Sequence, residues 1–341
     1  MVPHFSLKKM ILPTLLLLTL ILSACGGASS SSGSANSGKK LTIGLSISSI
    51  DNAFFVAMDN GVKQEASKLG YSVLDNNANN DAATQINQVE NLLTRKVDVI
   101  IINPVSSEGI APVVKQANSM NIPVITLDRS SSGGTVASFI QSDNVRMGQQ
   151  SADFIVQQLK ARYGSPKGNV VDIQGQRGTS SAEDREKGFV QEIQKYPGIK
   201  IVASQSANFN QEQAYNVTSN ILQANSQVDA IFGANDDSSV GALKAVQAAN
   251  RFAPLGSAKH IIIIGIDGTP QALQAIRDGQ LDATVTQNPE RMAVQAVDIA
   301  KAFAASQKYD SHVLYPAMLI SKSNIDSTAV KQFGLWGEQS K

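Results

Sequence analysis

The chain has 341 residues, 17% of them charged and 5% aromatic, with 29 Lys and Arg against 28 Asp and Glu for a net charge of +1. That balance excludes a basic face for tracking a nucleic-acid backbone and an acidic disordered tail, while 42% hydrophobic residues suffice for a core and the length favours two lobes over one. A single cysteine excludes an intrachain disulfide or a multi-cysteine metal cage, and three histidines argue against a His-rich metal centre.

Lys8 and Lys9 precede an almost unbroken apolar run from Met10 to Leu22, short for a membrane span and read as a targeting segment. Leu22-Ser23-Ala24-Cys25 follows, and a cysteine after small residues at the cut resembles the lipobox of bacterial lipoproteins. The resemblance implies a signal peptide over residues 1–24 and a diacylated Cys25 as membrane anchor. Residues 25–39 are mostly Gly, Ser and Ala, which cannot bury a core and read as a lipidated, flexible tether.

From Lys40 onward buried strands alternate with amphipathic helices. Leu41–Ile47 reads as a strand, and Phe55, Met58, Val62, Ala66 and Leu69 recur at helical spacing after it. A short strand at Ser72–Leu74, a helix carrying Ile86, Val89 and Leu93, the β-branched strand Val97–Ile102, a helix with Ile110, Val113, Val114 and Ala117, and the strand Pro123–Leu127 follow. The second half repeats the rhythm with strands at Asn169–Ile173, Lys200–Ala203, Val228–Phe232 and Ile261–Ile266, and Thr269-Pro270 supplies a helix cap with a first-turn proline. Alternating βα units imply α/β lobes, each a parallel sheet flanked by helices. The run from Val97 to Ser107 resembles that from Val228 to Ser239, which favours two similar lobes.

Ligands of open parallel sheets gather at the carboxyl ends of strands, and polar residues accumulate there: Ser48 and Asn52, Asp128 and Arg129, Asn235 and Asp236, Asp267, and Gln287. Phe54, Phe55 and Phe209 add flat apolar faces nearby in sequence. A sugar needs that combination, because its hydroxyls take bidentate polar partners and its C–H faces take aromatic rings. Plainer roles compete: core packing for Phe54 and Phe55, a solvated pair for Asp128-Arg129, an exposed charged face for Arg185 beside Glu183, Asp184 and Glu186, and helix caps for Asp236 and Asp267. Adjacent side chains on an extended segment point opposite ways, so joint contact by Asp128 and Arg129 requires a turn.

The order of the segments discriminates. Ser48-Ser49-Ile50-Asp51-Asn52-Ala53-Phe54-Phe55, Ile122-Pro123-Val124-Ile125-Thr126-Leu127-Asp128-Arg129, Gly178-Thr179-Ser180 with Arg185 and Gly188-Phe189, Asn235-Asp236, Gly265-Ile266-Asp267-Gly268-Thr269-Pro270 and Ala283-Thr284-Val285-Thr286-Gln287 together resemble the sugar-binding proteins of bacterial ABC importers, the ribose-binding branch above all. The resemblance covers Leu41 to Lys322 and implies a Venus-flytrap fold of the periplasmic binding protein type I, with two lobes joined by a three-strand hinge. It implies lobes at 40–142 plus 288–317 and at 143–287 plus 318–333, with a tail at 334–341 for whose Trp336 the pattern has no role. Phe54, Phe55 and Phe209 would sandwich the ring, while Ser48, Asn52, Asp128, Arg129, Arg185, Asn235, Asp267 and Gln287 would bind hydroxyls and ring oxygen. Ala53 departs from the proline that the ribose branch commonly carries there.

The function implied is that of a membrane-tethered, extracytoplasmic receptor, a monomer without cofactor, that captures an aldopentose, ribose favoured, and presents it to a permease, with a chemoreceptor as a further partner. The same receptor for a hexose, furanose, sugar alcohol or furanosyl signal is the alternative. A sugar-responsive repressor shares the fold, but the signal and lipobox stand where its DNA-binding domain belongs. An enzyme finds no support: there is no dinucleotide fingerprint, Walker loop or nucleophile elbow, and His260 and His312 adjoin no candidate nucleophile. Asp75–Asp81 lacks the glycine and the glutamate of a calcium loop, with Ile86 at the glutamate's position.

Overall fold

The computed structural model describes residues 40–339, so the targeting segment, Cys25 and the tether lie outside the described residues. The first half builds β1 (Thr42–Ile47), α1 (Ala53–Lys68), β2 (Ser72–Asn77), α2 (Ala82–Thr94), β3 (Val99–Ile102), α3 (Ala111–Ser119), β4 (Val124–Leu127) and β5 (Ser138–Ser142). The second builds α4 (Asn144–Tyr163), β6 (Gly168–Gln174), α5 (Ser180–Ile193), β7 (Ile199–Ser206), α6 (Gln211–Ala224), β8 (Ala230–Gly233), α7 (Asp236–Ala248), β9 (Ile262–Asp267), α8 (Pro270–Arg277) and β10 (Ala283–Thr286). The chain then returns through α9 (Pro289–Ala304), β11 (His312–Tyr315), β12 (Met318–Ser321), α10 (Thr328–Phe333) and α11 (Trp336–Gln339).

Two six-stranded sheets result, ordered β11-β5-β4-β3-β1-β2 and β12-β10-β9-β8-β6-β7. The orders correspond strand for strand, so the likeness of the two halves is architectural as well as local. Central strands such as β3 and β4 are buried along their whole length, because helices cover both faces. The edge strands β2 and β7 extend beyond the expected Ser72–Leu74 and Lys200–Ala203. The residues added at their carboxyl ends, Asp75 to Asn77 and Ser204 to Ser206, are polar, which hides edge pairing from a hydrophobicity reading.

The chain passes between the sheets at 142–144, 286–289 and 315–318, which makes the hinge three-stranded. Both sheets aim their carboxyl ends at the cleft between them. A chain leaving β11 therefore enters the second sheet from its carboxyl side, and β12 pairs antiparallel with β10 (Thr286 opposite Met318). The two lobes are the expected parallel sheets flanked by helices, the second with this one antiparallel edge.

Two residues of the expected tail are packed inside the molecule. Leu335 is buried in the core of the second lobe and Trp336, 1% exposed, in the core of the first.

Candidate functional site

Asn52 follows β1, and its Oδ1 accepts the Phe55 N–H at 3.1 Å, capping α1. Ala53 is the first residue of that helix, a position where proline is favourable but dispensable, so its presence leaves the helix start intact. The cap sets Phe54 and Phe55 on the first turn, edge to face with centroids 5.5 Å apart. Both rings pack in the lobe's core and also border the cleft, so the core and ligand roles are not exclusive.

Asp128 has φ +66°, and the Arg129 N–H donates to the Leu127 carbonyl at 2.8 Å. This tight turn is the one that joint use of Asp128 and Arg129 requires. The Arg129 guanidinium carbon lies 5.0 Å from the Phe55 centroid and 5.7 Å from that of Phe209, and Nη1 donates to the Pro104 carbonyl at 3.0 Å.

In the second lobe Arg185 is 3% exposed despite its acidic neighbours in sequence. Its Nε donates to Asn144 Oδ1 at 2.9 Å, its Nη1 to the Ala234 carbonyl at 2.8 Å, and Nη1 stands 3.7 Å from Asp267 Oδ1. Gln287 Nε2 donates to the same Asp267 oxygen at 2.6 Å. Asn235 divides its amide between capping α7 (Ser238 N–H, 2.9 Å) and donating to the Phe209 carbonyl at 3.2 Å. Phe209 has φ +59° and Asp267 φ +135°. With Asp128, three side chains that face the cleft thus sit in backbone conformations that L-residues rarely adopt, strain of the kind that gathers at binding sites.

Ten of the eleven residues expected at the site line one small pocket between the lobes. Ser48 does not: its Oγ donates to Asn103 Oδ1 at 2.5 Å, beneath the site. Asp236, fully buried, is not a cap either, since its carboxylate ties the Thr269 N–H (2.7 Å) and the Thr284 hydroxyl (2.7 Å) and so joins three strand ends. Ser181 borders the space and was not expected. Asn103, at the carboxyl end of β3, and Asn144, at the start of α4, support Asp128 and Arg185. Their places at a strand end and a hinge crossing are signals that would have found them.

Three buried polar atoms here have no hydrogen-bond partner among the described residues: Asp128 Oδ1, Arg129 Nε and Gln287 Oε1. Burial raises the pKa of Asp128 against the pull of Arg129 and Arg185, and burial raises that of Asp267 well above the usual carboxylate range despite Arg185. Burial also pushes Arg129 down to about 10, which still leaves it charged at neutral pH. Two guanidiniums and two carboxylates thus share a nearly dry space, where hydroxyl donors and acceptors are the natural complement.

Hydrogen bonds close the lobes over the site: Ser107 N–H to Gly178 O (3.0 Å), Ser130 N–H to Ser180 Oγ (2.9 Å) and Gln176 Nε2 to Val105 O (3.3 Å).

A sheet pair hinged over such a space defines a solute-binding protein, and comparison with known proteins agrees. Residues 43–308 match the family of the periplasmic binding protein domain. The ribose import binding protein of Haemophilus influenzae is 37% identical over 307 residues, covering 89% of this chain and 99% of the relative. The ribose import binding protein of Bacillus subtilis is 34% identical, over 92% and 99%. The solved Caulobacter myo-inositol binding protein, bound to myo-inositol, superposes with TM-score 0.78 at 32% identity, over 86% of this chain and 97% of that one. The chain belongs to the periplasmic binding protein family, type I fold, a membership that implies an extracytoplasmic place of work.

Proposed function

We propose that this protein is the substrate-binding component of an ABC sugar importer, holding one aldopentose, D-ribose first, between its lobes and delivering it to the permease. The carrying observation is the convergence of Phe55 and Phe209 with Asp128, Arg129, Arg185, Asp267 and Gln287 on one interlobe pocket. Aromatic faces suit the sugar's C–H surfaces, and the buried unpaired atoms suit its hydroxyls. The ribose import relatives support the choice of pentose.

The second reading keeps the role and changes the ligand to a hexose, furanose or sugar alcohol, as the myo-inositol complex of a structural relative suggests. A thermal-shift panel of D-ribose, D-allose, D-arabinose, D-galactose and myo-inositol separates the two. Ribose raises Tm most under the first reading, and a larger rise with another sugar reassigns the ligand. Cys25 anchors the protein to the membrane in this account, so labelled fatty acid enters the wild type and not Cys25→Ala; equal labelling of both removes the anchor.

A further inference from the structure

Trp336, the single tryptophan of the chain, lies where the two lobes meet behind the site. Its neighbours in sequence belong to the second lobe. Leu335 is in that lobe's core, Glu338 pairs with Arg277 of α8, and Arg277 also holds Asp326 at 2.6 Å. Gly337 approaches the loop between β9 and α8 so closely that a Cβ there would stand 2.4 Å from the Gly268 carbonyl. From this mount the indole reaches into the first lobe and meets Phe54 edge to face, with centroids 6.2 Å apart at 77°. Its Nε1–H donates at 2.8 Å to the main-chain carbonyl of Asp267.

That carbonyl also accepts from the Gln287 N–H at 3.0 Å and the Thr286 hydroxyl at 3.2 Å. A carbonyl oxygen offers two lone pairs, and the indole and Gln287 N–H groups occupy them, while the single Thr286 hydroxyl hydrogen is shared with the Gln287 carbonyl at 3.1 Å; the Asp267 peptide is thereby held in its unusual φ of +135°. The side chain of the same residue faces Arg185 and Gln287 in the site. One indole therefore braces an aromatic wall contributed by one lobe and a carboxylate contributed by the other.

We propose that Trp336 is a positioning residue and interlobe latch for sugar binding: docking of the C-terminal segment and closure over the ligand reinforce each other through Phe54 and Asp267. The latch rests on the sugar reading of the site. Reciprocity follows, since a contact that favours the closed arrangement raises ligand affinity, and ligand must then favour the contact to the same degree.

The test uses the full chain, Trp336→Phe and Trp336→Ala, with D-ribose titrated calorimetrically and the sugar panel as a second arm. Trp336→Phe keeps a ring against Phe54 and loses the N–H to Asp267; with its folding checked by circular dichroism, its affinity is expected to fall about three- to tenfold, and that of Trp336→Ala further. In the wild type, ligand changes tryptophan emission with the calorimetric half-saturation, and it slows amide exchange across 334–338. A merely structural tryptophan would lower Tm in both variants and leave affinity and ligand-dependent exchange unmoved. Wild type that binds with both variants within twofold of it overturns the latch alone, whereas wild type that binds no sugar on the panel overturns the sugar reading itself.

Discussion

The main-chain carbonyl of Arg185 occupies the place where a side chain on Gly148 would stand, 2.1 Å from the position of a Cβ. Helices α4 and α5 touch backbone to backbone there, and Gly188 makes the reciprocal approach to the Val145 carbonyl, with a Cβ-to-oxygen distance of 2.0 Å. Gly148→Ala must part the helices and carry Arg185 with them. The expected cost is at least ~1–3 kcal/mol of stability, together with weakened sugar binding. Thermal unfolding and ligand titration of the purified variant check both; unchanged values for both refute the steric account.

Asp267 is shared by Arg185 and Gln287. Asp267→Ala leaves both buried donors without that acceptor and removes a partner for a sugar hydroxyl. Affinity for ribose is expected to fall by roughly 1–3 kcal/mol, about five- to 150-fold. Calorimetry on the folded variant measures it, and an unchanged Kd removes Asp267 from the site.

Closure depends on serines at the cleft rim. Ser180 Oγ accepts the Ser130 N–H across the cleft at 2.9 Å. Ser180→Ala leaves that amide to water, lowers the closed population and is expected to raise Kd about two- to tenfold. Small-angle scattering without ligand would show a larger radius of gyration than wild type; an identical radius and Kd would mean the contact does not govern closure.

Asp172 on β6 carries the clearest pH dependence. Burial raises its pKa to about 7, against the hydrogen bond from Ser204 and with the Glu186 charge adding to the rise. The folded value lies above the unfolded one of about 4, so between these the native state binds the extra proton and stability falls as pH rises. Its contribution is present below about pH 4 and is lost through about pH 7. Asp172→Asn is therefore expected to raise Tm relative to wild type at pH 8 and to change it little at pH 4.5, with a ceiling of about 4 kcal/mol. Equal shifts at both pH values contradict this.

Much of the fold is legible in the sequence because its central strands are apolar throughout and its helices carry a periodic face. What resists is the part decided by tertiary context. The exposed sides of β2 and β7 are polar, so pattern alone cannot extend them. The antiparallel entry of β12 follows from the geometry of crossing between lobes and leaves no mark in composition. Ser48 is polar and stands at the right strand end, yet Asn103 captures its hydroxyl. Arg185 illustrates the opposite case, a residue amid acidic neighbours that is drawn inward by Asn144 and the Ala234 carbonyl. Trp336 is invisible to pattern because its partners, Phe54 and Asp267, are far away in sequence and come from different lobes.

The central claim is that one monosaccharide fills the space between Phe55, Phe209 and the paired charges. Titration calorimetry of the purified protein with D-ribose tests it most directly. The account predicts one site per chain, a Kd of about micromolar or tighter, near −8 kcal/mol, and a negative heat-capacity change from the buried ring faces. No saturable heat with D-ribose or with any other pentose, hexose or cyclitol would contradict it.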